Sequence, residues 1–146
     1  MTNSPRSAPV LPEWPPGTVL ILVSAGSPPH AIPVSAAVRA GPERVLLGLA
    51  SSRESLARVR QDPRVALAIM AGGDVAVTAY GTATVRDADL TDGVAAVELR
   101  VERVQDHNRP TFVIESGVGW HWTDAAAQER DGEVRAALQR LADASD

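Results

Sequence analysis

Five consecutive residues, Ser51-Ser52-Arg53-Glu54-Ser55, bring three hydroxyls together with a guanidinium and a carboxylate. Apolar Leu56 and Val59 follow at helical spacing, so the cluster lies at the start of a helix that ends at Asp62-Pro63. A helix start presents unpaired N–H groups and the positive end of the dipole, both suited to phosphate. Arg53 and Arg58 would add guanidinium groups able to hold phosphate through two parallel hydrogen bonds. The same serines also suit a structural task, because Ser51 or Ser52 can cap the helix. Phosphate binding and capping both remain open at this point.

Other chemistry-bearing residues are sparse. In Trp120-His121-Trp122 an extended backbone would put both indoles on one side and His121 on the other. Such a pair either stacks on a ligand or seals a barrel end or a subunit interface. Asp106-His107 has the residue types of an acid–base pair, but strand neighbours point to opposite faces, which favours a turn role. His30 reads as a solvated residue at a strand start, and Arg64 as one member of a surface ion pair. The three histidines lie far apart and no cysteine is present, so no metal site is expected. Neither a Gly-x-Ser-x-Gly elbow nor a Gly-x-Gly-x-x-Gly loop occurs, and no catalytic residue identifies itself.

Composition narrows the classes further. All 14 basic residues are arginines, which removes lysine Schiff bases and phosphate-loop lysines. A net charge of −4 and few aromatic residues argue against a nucleic-acid partner. No apolar run approaches the roughly 20 residues of a membrane span, and Met1 to Pro16 does not read as a secretion signal, so a cytoplasmic protein is expected.

The elements that must position these residues are mostly strands. Residues 1–17 hold five of the 11 prolines and read as an extended arm whose removal as far as Pro12 should leave folding nearly intact. Residues 18–146 read as a single domain. Strands are expected at Thr18 to Ser24, about His30 to Val38, Arg44 to Ala50, Arg64 to Met70, Val75 to Arg86, around Val97 to Val101, and at Thr111 to Glu115. Pro33 belongs at a sheet edge, since it cannot donate to a ladder. Thr123-Asp124 begins a C-terminal helix over about 124–143, with Asp131-Gly132 as a point where it could split. Six or seven mostly antiparallel strands with two helices predict a mainly β fold, a barrel rather than an open sheet.

The order of hairpin, Ser/Arg-bearing helix, Asp62-Pro63-Arg64-Val65 and a long strand with Tyr80-Gly81-Thr82-Ala83 resembles the pyridoxamine 5′-phosphate oxidase-like split β-barrels. The resemblance covers roughly Thr18 to Val104, with Ser55 to Leu67 as its best local match. It implies a homodimer with FMN bound in two grooves at the subunit interface. Phosphate would be held by Ser51, Ser52, Arg53, Ser55 and Arg58, and the ring edge by the backbone of Pro33, Val34 and Ser35. Trp120 or Trp122 would stack near the ring. The chain departs from the oxidase itself: the family's Arg-Lys pair at the helix start has no lysine here, Glu54 stands nearby, and the segment that reads pyridoxamine phosphate is not recognisable after Gly117. Oxidation of vitamin B6 is therefore not expected. The expected function is a flavin-nucleotide protein passing a hydride between flavin and a small-molecule substrate. A deazaflavin could stand in for FMN in that role; the alternative function is a non-catalytic cofactor-binding or interaction protein on the same fold, with a deazaflavin, haem or no cofactor.

Overall fold

The computed structural model describes residues 10–144. Seven strands form one antiparallel sheet: β1 (Leu20–Ser24), β2 (His30–Val34), β3 (Ala37–Gly41), β4 (Arg44–Ala50), β5 (Arg64–Ala71), β6 (Val75–Thr91) and β7 (Val94–Asp106). Helix α1 (Glu54–Gln61) joins β4 to β5, and α2 (Ala125–Ala144) ends the fold. The spatial order is β2-β1-β5-β6-β7-β4-β3. The mainly β class expected from the sequence is the class observed.

The expected strand from His30 to Val38 is two strands on opposite edges of the sheet. β2 pairs with β1, β3 pairs with β4, and Ser35-Ala36 carries the chain between them. The Gly48 N–H donates to the Ala36 carbonyl (2.8 Å), which brings this crossing against β4. β2 also contacts β4, the strand next to the opposite edge, so the sheet curls back on itself as a split barrel. Pro33 lies on edge strand β2, where its missing N–H leaves no gap in a ladder.

β6 runs to Thr91, five residues beyond the expected end at Arg86, and bends to serve two pairings. Its first half pairs with β5 and nearly all of it with β7. The register slips at Tyr80/Gly81, and a Cβ at Gly81 would run into the Arg100 carbonyl oxygen. Only glycine permits that approach.

Alternate residues fill the barrel. Leu20, Leu22, Val45, Leu47, Leu67, Ile69, Val97 and Leu99 are all inside, and Leu56 and Val59 of α1 join the same core. The outer face is treated unevenly. Over β3 and β4 it is covered by α2, whose Val134, Leu138 and Ala142 pack on Leu46 and Ala96. Over β1, β2 and β5 it stays open, with Pro33, Ile21 and Ala68 in one cross-strand row and Ala31, Val23 and Ala66 in the next.

Three further expectations are corrected. Residues 111–115 form no strand: β5 and β6 already have neighbours on both sides, so no free ladder meets this segment. Asp131-Gly132 does not split α2, which runs unbroken through this point; its buried residues Val134, Ala137, Leu138 and Ala142 all follow Gly132, and the Asp131–Arg135 ion pair (2.8 Å) one turn apart spans the glycine. Leu11 is 1% exposed in the barrel core, its N–H bonded to the Pro42 carbonyl and its carbonyl accepting two bonds from Arg39. Truncation as far as Pro12 would therefore remove a core side chain. The first nine residues of the arm lie outside the described residues.

Candidate functional site

The start of α1 carries the Ser51–Ser55 cluster, and the structure answers the capping question. Arg53 occupies the N-cap position in extended conformation, with no side-chain capping bond. Ser51 and Ser52 are exposed and cap nothing, because the chain turns through Ser51-Ser52 before the helix begins, with the Arg53 N–H on the Ala50 carbonyl (3.0 Å). The first-turn N–H groups are left without the hydroxyl acceptor such a helix normally finds.

Ser55 sits in this uncapped turn. It is 1% exposed, and its Oγ has no hydrogen-bond partner among the described residues. An unsatisfied buried hydroxyl costs about 1–3 kcal/mol. Arg53 is exposed, and its guanidinium makes no hydrogen bond or ion pair with the described residues. Arg58 is committed elsewhere: Nε donates to Glu54 Oε2 (2.7 Å) and Nη1 to the Pro28 carbonyl (2.8 Å). His30 Nδ1 also lies 3.3 Å from Glu54 Oε2. The Arg58 hydrogen bond and charge, with a lesser effect from His30, hold the Glu54 carboxyl below its ordinary range. The carboxylate is thus neutralised on the side of the β1–β2 loop, which lessens its repulsion of an anion at the helix start.

The Pro33–Ser35 segment ends where β2 meets β4. Val34 turns its side chain into the core, Pro33 is exposed, and Ser35 is half-buried beside the crossing to β3. Val34 can therefore offer only its backbone to a ligand, whereas the Pro33 ring is accessible.

Trp120 and Trp122 lie elsewhere. Their rings meet edge to face, with centroids 5.2 Å apart. Trp120 Nε1 donates to the Gly17 carbonyl (2.8 Å), and the groove they line shares no residue with Ser51–Ser55 or Pro33–Ser35. The structure does not bring the tryptophans to the helix start.

The remaining polar residues find structural partners. Arg64 pairs with Asp62 (2.7 Å), as expected of a surface pair, and its hydrogen bonds bring the Asp62 pKa to about 2. Asp106 and His107 act separately: Asp106 accepts from the Asn108 N–H, while His107 Nε2 lies 2.7 Å from Thr78 Oγ1 on the outer sheet face. One feature escaped the sequence reading. Glu98, 7% exposed, is held by Arg44 Nε (2.6 Å) and Arg86 Nη1 (3.0 Å). Burial alone would raise its pKa, but the hydrogen bonds and charges of Arg44 and Arg86 outweigh it and hold the carboxyl low. The signal available was Glu98 interrupting the apolar run Val94 to Leu99, which marks a charge that needs partners.

Neither a family model nor a curated protein matches the sequence. Solved structures do. A protein assigned as a pyridoxamine 5′-phosphate oxidase from Listeria innocua superposes with a TM-score of 0.53 at 15% identity, covering 63% of this chain and 90% of that one. A protein with the same assignment from Lactobacillus delbrueckii gives 0.52 at 19% identity, covering 60% and 84%. HupZ of Group A Streptococcus gives 0.55 at 9% identity, covering 70% and 90%. The chain therefore has the split-barrel fold of the pyridoxamine 5′-phosphate oxidase-like proteins.

Proposed function

We propose that the protein binds a flavin nucleotide, FMN in the first instance, with its phosphate at the start of α1. The observation that carries this reading is Ser55: a buried hydroxyl without an acceptor, in an uncapped first turn, is satisfied when an anion arrives. Arg53 supplies the unengaged guanidinium, and Ser51 and Ser52 supply exposed hydroxyls. Arg58 has a supporting task, holding Glu54 away from the anion. The backbone of Pro33–Ser35 at the β2–β4 junction borders the ring.

The bound flavin would supply hydride transfer to or from a small-molecule substrate, so the chain itself needs no acid or base. Its residues orient the cofactor and exclude water. A second copy of the chain covers the open outer face of β1, β2 and β5, where Ile21 and Met70 are 39% and 56% exposed. Light scattering at micromolar concentration should give about twice the 15.3 kDa of one chain.

Titrating FMN fluorescence tests the site. The parent should quench it saturably, and Arg53→Ala should bind about ten- to a hundred-fold more weakly, the value of a charge-assisted hydrogen bond. Equal binding by both would leave the Ser51–Ser55 segment with no ligand role. Oxidation of a reduced nicotinamide by the FMN-loaded protein would separate an enzyme from a carrier.

A further inference from the structure

All three tryptophans of the chain line two adjoining cavities on the far side of the fold. Trp120 and Trp122 wall a groove of about 900 Å³ between the segment entering β1 and the first half of α2. Trp14 lines a second cavity of about 360 Å³ against β3. Pro16 and Arg135 belong to both.

The two walls converge at Gly17. A Cβ there would stand 3.7 Å from Trp120 Cζ2 and 3.8 Å from both Nη1 and Nη2 of Arg135. With φ at +85°, the position favours glycine, so the notch between indole and guanidinium stays open. Both flanking groups are fixed in place. Trp120 is tied to the Gly17 carbonyl and braced by Trp122. Arg135 gives Nε to Asp131 Oδ2 (2.8 Å), while Nη1 and Nη2 have no partner among the described residues. Its side chain is only 22% exposed.

The floor is equally firm. Cβ atoms at Gly72 and Gly117 would lie 2.8 Å from the Glu115 carbonyl and 2.9 Å from the Met70 carbonyl, so residues 115–117 lie flat on the end of β5. Each indole remains 38% exposed, which leaves ring surface for stacking.

We propose that this groove binds a planar aromatic ligand carrying a single carboxylate. The ring stacks on the Trp120–Trp122 pair, and the carboxylate takes the two free nitrogens of Arg135 in a bidentate pair. Glu13 and Glu115 line the two cavities and disfavour a multiply charged anion, which points to a carboxylate rather than a phosphate. The groove has no residue in common with the start of α1, so it stands or falls independently of the flavin site.

Calorimetry with 2-naphthoate, its neutral counterpart 2-naphthalenemethanol and non-aromatic hexanoate tests the assignment, together with the three indole N–H signals in an NMR titration. Naphthoate should bind saturably below millimolar concentration and move the Trp120 and Trp122 signals, while hexanoate binds at least about tenfold more weakly. Arg135→Gln should weaken naphthoate about tenfold and leave the alcohol unchanged, whereas Trp122→Ala should weaken both. Asp131→Asn keeps the guanidinium and should retain naphthoate binding, which guards against a loosened α2 as the cause. Arg53→Ala should change nothing here. No saturable binding of naphthoate, or an Arg135→Gln variant that binds naphthoate as the parent does or loses the alcohol equally, would overturn the proposal.

Discussion

The two helices begin in opposite ways. Helix α2 starts as a finished element: Asp124 Oδ1 accepts the Ala126 N–H (2.9 Å), and four residues of its apolar face are buried. Helix α1 has serines immediately upstream, yet its first turn carries no side-chain cap and contains a buried hydroxyl with no partner. Both starts had suitable capping residues at hand, so the difference lies in where the backbone puts them. A short helix that leaves its positive end open gives up stability that α2 keeps, a loss that the proposed phosphate site would account for.

If α2 is structural, its truncation should show the largest effect. Leu138 is fully buried between α2 and the sheet, and Leu138→Ala should cost about 2–5 kcal/mol in urea unfolding. FMN affinity, measured well below the transition, should not change.

Glu98 lies on the α2-covered side of the barrel and gives that region a pH dependence. Its folded pKa lies below the unfolded value, so its contribution is present above the unfolded pKa and disappears as pH falls through the folded one. Glu98→Gln should lose about 1–3 kcal/mol near neutrality. Melting temperatures of parent and variant should converge as the pH falls from the ordinary carboxylate range through the lower folded pKa of Glu98.

Ser55→Ala inverts the usual sign. Removing a hydroxyl that has no partner should leave the apo protein unchanged or up to about 1 kcal/mol more stable. FMN binding should weaken in the same variant. A clear destabilisation would mean that the hydroxyl is satisfied in solution and that α1 resembles α2 after all.

The smallest effects separate the two helix starts directly. Asp124→Ala should cost about 1 kcal/mol, as the loss of a cap does. Ser52→Ala should fall within about 0.5 kcal/mol, because its exposed hydroxyl closes no turn. Paired thermal melts decide this.

Much of the frame was legible where local signals and tertiary demands agree. Arg44 to Ala50 matched β4 residue for residue, and Asp62-Pro63 ended α1 as expected, since proline cannot continue the helical ladder. Misreadings occurred where distant chain segments decide. The break at Ser35-Ala36 comes from the barrel closing, which no local pattern records. Thr111 to Glu115 has strand-forming residues but meets no open edge. Leu11 looked like part of a proline-rich arm, yet Pro42 and Arg39 pin it into the core. At the site, the types and order of Ser51–Ser55 were readable. That Arg58 serves Glu54 and Pro28, and that Ser55 rather than Ser52 is left unsatisfied, required the packed structure.

The open start of α1 is tested most directly by comparing FMN with riboflavin, which differ only in the phosphate. Fluorescence titration of the parent should show FMN binding at least about tenfold more tightly than riboflavin, with the gap closing in Arg53→Ala. Equal affinities in the parent, or a gap that Arg53→Ala leaves untouched, would contradict a phosphate site at this helix.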